Sequence, residues 1–310
     1  WKNIKHYFWW GGKTKKLMKL SKPEFWSKNN SYLSILLWPV SLIYQFFFYI
    51  VSLLTKEKNY KIPIICVGNI YLGGTGKTPL TLFLAKIFEK QGKKTSIIKK
   101  YYPEHFDEHL MIQNYSNHLF LSKSRQKALN IIEKSNFDLA ILDDGFQDSS
   151  IKKDFNILCF SSKQLIGNGF TFPSGPLRER MSSIHRANVV IINGNENVSF
   201  EKKIRNISKK IEIFYSNYEP ININEFKDKK VFAFAGIGNP DNFFDILTQY
   251  DLNIKKKIPY SDHYEFTKKE LNEILDFSLK NNLQPITTEK DYHRIKKFGF
   301  KNFDYLELKL

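Results

Sequence analysis

Two short stretches hold residues whose types and spacing suit phosphate chemistry. The first is Gly73-Gly74-Thr75-Gly76-Lys77-Thr78. Glycines at 73, 74 and 76 let successive backbone N–H groups turn inward around phosphate oxygens, and the start of a following helix adds positive partial charge. Lys77 has the reach for β- and γ-phosphates, and the Thr78 hydroxyl suits Mg²⁺. The strict form of the motif opens on a glycine at position 71, where this chain has Tyr71. The second stretch is Leu142-Asp143-Asp144-Gly145-Phe146-Gln147. A carboxylate that ends a hydrophobic strand downstream of a phosphate loop holds the magnesium complex, directly or through water. Neighbouring strand residues face opposite ways, so one of Asp143 and Asp144 is expected at the metal and the other at a neighbour or the substrate. Gly145 allows a turn, and Gln147 is placed to hydrogen-bond near the site. A glycine turn opening an ordinary helix, and an Asp pair capping a turn, are the plain alternatives for either stretch alone.

Such residues need a frame. Residues 62–67 read as a buried parallel strand, and 81–90 carry helical apolar spacing that Gln91-Gly92 ends. Residues 95–98 form the next strand, and 139–142 the strand before the acidic pair. Strand, glycine loop, helix, strand is the context that makes the first motif credible. Downstream, 187–193 reads as a core strand, 202–213 as a helix followed by a strand, and 231–236 as a strand opening a C-terminal subdomain. A helix at 268–280 and closing strands at 283–287 and 303–308 complete the chain. The pattern is α/β, divided at 1–60, 61–215 and 216–310.

The 310 residues are 42% hydrophobic and 25% charged, which excludes a mainly disordered chain. Lys and Arg exceed Asp and Glu by 48 to 31, a net charge of +17 that favours anionic partners. Only six of those basic residues are arginines, which argues against base readout of nucleic acid. Cys66 and Cys159 both lie in apolar runs and read as buried free thiols. Residues 29–55 carry no charge, are rich in aromatics and are flanked by lysines. A hairpin or amphipathic helix at an anionic membrane surface is the favoured reading, beside a true span and a helix packed on its own soluble domain. The chain begins at Trp1, so upstream residues are expected.

The motifs GNIYLGGTGKTP, LDDGFQ and GNGFTFPSGPLRER, followed by AGIGNPDNFF, SDHYEFT and TTEKD, resemble in this order the lipid A 4'-kinase (tetraacyldisaccharide 4'-kinase) family. The resemblance implies a RecA-like P-loop core, a mostly parallel sheet flanked by helices, with a smaller C-terminal α/β subdomain closing over nucleotide. It implies ATP and Mg²⁺ as cofactors and an acylated disaccharide 1-phosphate lipid as substrate. The 4'-hydroxyl would be phosphorylated at the cytoplasmic face of a bacterial inner membrane, without nucleic acid or an obligate protein partner. The family's base lies in a Gly-Asp-Glu-Pro motif; the match is Phe106-Asp107-Glu108-His109, which makes Asp107 the base and Glu108 its neighbour. His263, after Asp262, would pair with it. Arg178 would steady phosphate charge beside Glu179, while Arg180 replaces a family proline. Lys100 is expected in place of a family arginine. A membrane-associated P-loop ATPase or switch acting on a protein partner is the alternative reading. Lys290 and Asp291 are adjacent, so no guanine-type motif points to GTP.

Overall fold

The computed structural model describes residues 23–29, 31–102, 106–116, 118–262 and 264–310, with backbone alone at 106–108, 111 and 114. The uncharged segment becomes one helix, α1 (Tyr32–Leu54), so the hairpin reading is excluded; Pro39 removes one N–H donor but does not interrupt it. Its surface is inverted relative to a soluble helix. Ser34 and Ser41 are buried, while Leu36, Phe47 and Leu54 are 60%, 63% and 81% exposed.

A βα repeat follows. β1 (Ile64–Gly68) leads into α2 (Lys77–Lys90), then β2 (Thr95–Lys100), α3 (Phe106–Tyr115), β3 (Leu119–Ser122), α4 (Arg125–Ile132), β4 (Leu139–Asp143) and β5 (Phe155–Ser161). β6 (Val189–Asn193), α5 (Val198–Ile207) and β7 (Glu212–Ser216) complete this layer. The order is β3-β2-β4-β1-β5-β6-β7, and every neighbouring pair is parallel. A parallel sheet is covered on both faces, which explains the near-continuous apolar strands. Along β1 the alternation is visible: Cys66 joins Leu142, Phe160 and Phe200 on one face, while Val67 joins Leu80, Ile97 and Cys159 on the other. Burial pushes both thiols up to about 12, so they stay protonated.

Two elements differ from expectation for local reasons. α2 starts at Lys77, ahead of the apolar spacing, because the glycine loop turns directly into it; Pro79 sits in the first turn, where its missing N–H goes unneeded. α5 begins at Val198 because the Asn197 side chain accepts the Phe200 N–H at 2.9 Å, an N-cap that apolar periodicity does not register.

Beyond β7 the chain forms β8 (Glu219–Pro220), then β9 (Lys230–Ala235), α6 (Pro240–Gln249), β10 (Asn253–Pro259), α7 (Lys268–Lys280), β11 (Gln284–Thr288), α8 (Glu289–Lys296) and β12 (Asp304–Leu306). These strands make a second parallel sheet, β10-β9-β11-β12, with its own core around Phe232, Phe234, Phe243 and Ile286. β13 (Leu308–Lys309) returns antiparallel beside β8, and Leu310 packs against the core of the first sheet. The Lys255-Lys256-Lys257 run lies on edge strand β10, with Lys256 and Lys257 over the rings of Phe277 and Phe244.

Candidate active site

The glycine loop joins the carboxyl end of β1 to the first turn of α2. Gly73 and Gly76 take φ of 132° and 86°, left-handed values that favour glycine. Asn69 braces the loop, its Nδ2 donating to Gly73 O at 3.2 Å and to Thr75 Oγ1 at 2.9 Å. Asn193, at the end of β6, donates its Nδ2 to Thr75 O and accepts from Ser216 Oγ. Tyr71, at the motif's missing glycine, is buried and bridges Leu177. The phosphate cradle therefore begins at Gly73, and position 71 is a core position that a large side chain fills.

β4 delivers the two aspartates to different places. Asp143 is wholly buried; its Oδ2 accepts the Thr78 hydroxyl at 3.0 Å and pairs with the Lys99 ammonium at 2.5 Å. Asp144 takes a left-handed φ of 59°, which swings it off the strand and into the cavity. There Oδ1 meets Arg178 Nη1 at 2.8 Å and Lys77 Nζ at 3.6 Å. Burial alone would raise the Asp144 carboxyl, but the cations of Lys77 and Arg178 overcome it and hold the group well below the ordinary carboxylate range. Gln147 ties the cluster together: its Oε1 accepts from Arg178 at 3.3 Å, and its Nε2 donates to Asn69 O at 2.9 Å and Glu179 Oε1 at 3.0 Å. Glu179 also pairs with Arg186.

Two basic residues that sequence reasoning passed over belong here. Arg125 donates to the Asp144 carbonyl at 2.7 Å and pairs with Asp148 at 3.3 Å. Lys99 enters the site as the partner of Asp143, and Lys100, over the Tyr102 ring, lines the same cavity. The signal was strand parity, since β2 runs on to Lys100 and Lys99 stands in register with Asp143.

These groups face a cavity of about 1500 Å³. Gly73 to Thr78, Lys99, Asp143, Asp144 and Arg178 line it, together with Gly238, Asn239 and Asp262 from the second unit and Tyr44 and Phe48 from α1. A Cβ on Gly238 would come within 3.5 Å of the Gly74 nitrogen, so the loop after β9 sits directly over the cradle. Asp107 and Glu108 occupy the first turn of α3. α3 packs against α8 of the second sheet, with Tyr115 hydrogen-bonded to Glu289. His263 lies outside the described residues, next in sequence to Asp262.

The residues present fit Mg²⁺. The Thr78 hydroxyl spends its proton on Asp143 and keeps its lone pairs, while Asp143 Oδ1 is buried and has no hydrogen-bond partner among the described residues. Among the described residues no cluster of three or more His, Cys, Asp or Glu offers an all-protein cage. That donor set suits an ion that retains water and takes its remaining ligands from nucleotide phosphates.

A glycine cradle after the central strand of a parallel sheet, a helix N-terminus behind it and an acidic pair on the adjacent strand define a P-loop nucleotide-binding enzyme. A family profile for tetraacyldisaccharide-1-P 4'-kinase (LpxK) matches residues 33–310. A tetraacyldisaccharide 4'-kinase of Pelagibacter ubique is 41% identical over 303 residues, covering 94% of each chain. That of Rickettsia typhi is 34% identical over 304 residues, covering 92% of each. The crystal structure of LpxK from Aquifex aeolicus in complex with ATP superposes with a TM-score of 0.66 at 25% identity, covering 89% of this chain and 94% of that one. The chain belongs to the tetraacyldisaccharide 4'-kinase family, phosphotransferases of lipid A biosynthesis.

Proposed function

We propose that this chain transfers the γ-phosphoryl group of ATP to the 4'-hydroxyl of a tetraacylated glucosamine disaccharide 1-phosphate, and that it does so at the cytoplasmic face of an inner membrane. One observation carries the reading: a single cavity runs from Lys77 and the glycine cradle to Tyr44 and Phe48 on α1. It is a site for a triphosphate at one end and an amphiphile at the other. The outward apolar face of α1 supports a membrane location, since Ile35, Leu36, Phe46 and Phe47 are all at least 60% exposed.

In this reading Gly73, Gly74, Thr75 and Gly76 wrap the β-phosphate with backbone N–H groups, and Lys77 neutralises charge that builds on the β–γ bridge. Thr78, Asp143 and Asp144 are the residues that would hold Mg²⁺, which when bound would screen phosphate charge. Arg178 leaves Asp144 for the transferring phosphoryl group, guided by Gln147 and Glu179. Asp107, paired with His263 and flanked by Glu108, takes the proton of the 4'-hydroxyl as the new O–P bond forms and ADP departs. The unit from 216 to 310 folds over the nucleotide through the Gly238 loop. No protein partner is required.

The test is direct. Purified enzyme given ATP, Mg²⁺ and the acylated disaccharide 1-phosphate should yield the bisphosphate and ADP in equal amounts. Asp107→Ala should lower kcat by about two to four orders of magnitude with ATP binding intact. Wild-type turnover in that variant removes Asp107 from the base role, and ATP consumption that ignores the lipid refutes the kinase reading in favour of an ATPase.

A further inference from the structure

Helix α1 buries what a membrane-seeking helix has no reason to bury. Ser34 and Ser41 are each 1% exposed, and with Tyr44 and Gln45 they form one stripe along the protein side. A buried hydroxyl is costly unless it is hydrogen-bonded, and this stripe finds its partners in one loop. Asn168 Nδ2 donates to Ser34 Oγ at 2.9 Å, and Ser174 Oγ donates to the Ser34 carbonyl at 2.6 Å. Ser41 Oγ donates to Thr171 O at 2.9 Å and accepts the Ser174 N–H at 3.0 Å. Gln45 donates to Thr171 Oγ1 at 2.5 Å and accepts from Arg180 Nε. Tyr44 OH donates to the carbonyl of Arg178 itself at 3.3 Å.

The other side of the loop is fixed to the phosphate cradle. The Arg178 N–H donates to Ile70 O at 2.7 Å, and the Leu72 N–H donates to Pro176 O at 2.8 Å. Residues 171–178 are thus clamped between α1 and the chain that enters the glycine loop, and from that clamp Arg178 reaches Asp144. We propose that Ser41, Tyr44 and Gln45 are positioning residues for Arg178, so that α1 sets the phosphate-side arginine with its inner face while its outer face meets the bilayer. The inference rests on the role given to Arg178 under the proposed function. It gives the two faces of α1 separable duties: loss of the outer face costs location, and loss of the inner stripe costs chemistry.

Two full-length variants test this. Ser41→Ala with Tyr44→Phe keeps the ring of residue 44 against Phe172 and removes only hydroxyls. Leu36→Ser with Ile43→Ser and Phe47→Ser alters only exposed positions. Turnover is measured on detergent-dispersed acylated disaccharide 1-phosphate, and binding by flotation with vesicles of phosphatidylethanolamine and phosphatidylglycerol. Amide exchange is followed over residues 170–178, with circular dichroism as the check on folding. The inner variant should lose about tenfold or more in kcat, exchange faster at 170–178, and still float with vesicles. The outer variant should cease to float and keep its kcat in detergent. Wild-type kcat in a folded inner variant overturns the inference, as does an inner variant that stops floating as completely as the outer one. Arg178→Ala separates the two levels. If it is inactive while the inner variant is unaffected, this inference alone fails; if it turns over normally, the proposed role of Arg178 fails and takes the inference with it.

Discussion

Replacing Lys99 by methionine removes one half of a buried ion pair and leaves the other half in place. Lys99 and Asp143 meet at 2.5 Å with side chains 7% and 0% exposed, so water cannot take over from the lost ammonium. Breaking such a pair from one side costs about 3–5 kcal/mol, because an unpaired charge stays in the interior. Asp143 Oδ2 keeps the Thr78 hydroxyl at 3.0 Å, which places the loss near the lower end, about 3 kcal/mol. Against a total stability of about 5–15 kcal/mol, that is roughly a hundredfold change in the folded-to-unfolded ratio. Urea unfolding followed by circular dichroism reads it directly. A double-mutant cycle completes the argument: Lys99→Met combined with Asp143→Asn removes both charges and should recover a large part of the loss. If Lys99→Met unfolds at the wild-type urea concentration, Lys99 does not hold the buried carboxylate and the electrostatic account of this site is wrong.

Gly76→Ala should weaken ATP binding by at least about tenfold in a titration of purified protein, because the left-handed φ of 86° strains any side chain and the added methyl meets Asn193 and Tyr218. Normal affinity would show that the loop tolerates a different path. Glu270 gives a pH signature. Burial would raise its carboxyl, but the Tyr264 hydroxyl at 2.6 Å and the Thr267 N–H at 2.9 Å hold it below its ordinary value. A depressed folded pKa means stability that is complete above about pH 4.5 and lost as pH falls through the folded value. Glu270→Gln should therefore lie below wild type by about 0.5–1 kcal/mol at pH 7, since partial exposure screens the interaction, and converge with it in urea unfolding once pH falls below the folded value. A gap that persists in acid would assign the effect to packing.

Much of this site is legible in the residues themselves, and the reasons differ by position. The glycine cradle and the acid pair are readable because backbone turning and strand-end placement tie function to residue type within a few positions. The split between Asp143 and Asp144 follows from strand parity, but the left-handed turn that sends Asp144 toward Arg178 is a property of the tertiary site. Lys99 is hidden because a Lys-Lys pair ending a strand reads as solvated; only its register opposite Asp143 shows that one of the two is interior. Arg125 is hidden because its partners, Asp144 and Asp148, come from another strand end. The apolar character of α1 is plain from composition, whereas its inner stripe is not, since four polar residues in an apolar run look like dilution until the loop at 168–180 is seen against them.

β8 and β13 pair where the chain leaves the first sheet for the second and where it comes back. Two adjacent, cross-linked ribbons resist twisting and splaying while still allowing a bend. Any swing of the second unit proposed above would then be held to a single axis, like a door on one pin, and would return the Gly238 loop to the same spot over Gly74. Cutting one ribbon, or loosening the Leu310 mooring, would turn that guided arc into a loose dangle and scatter the landing point.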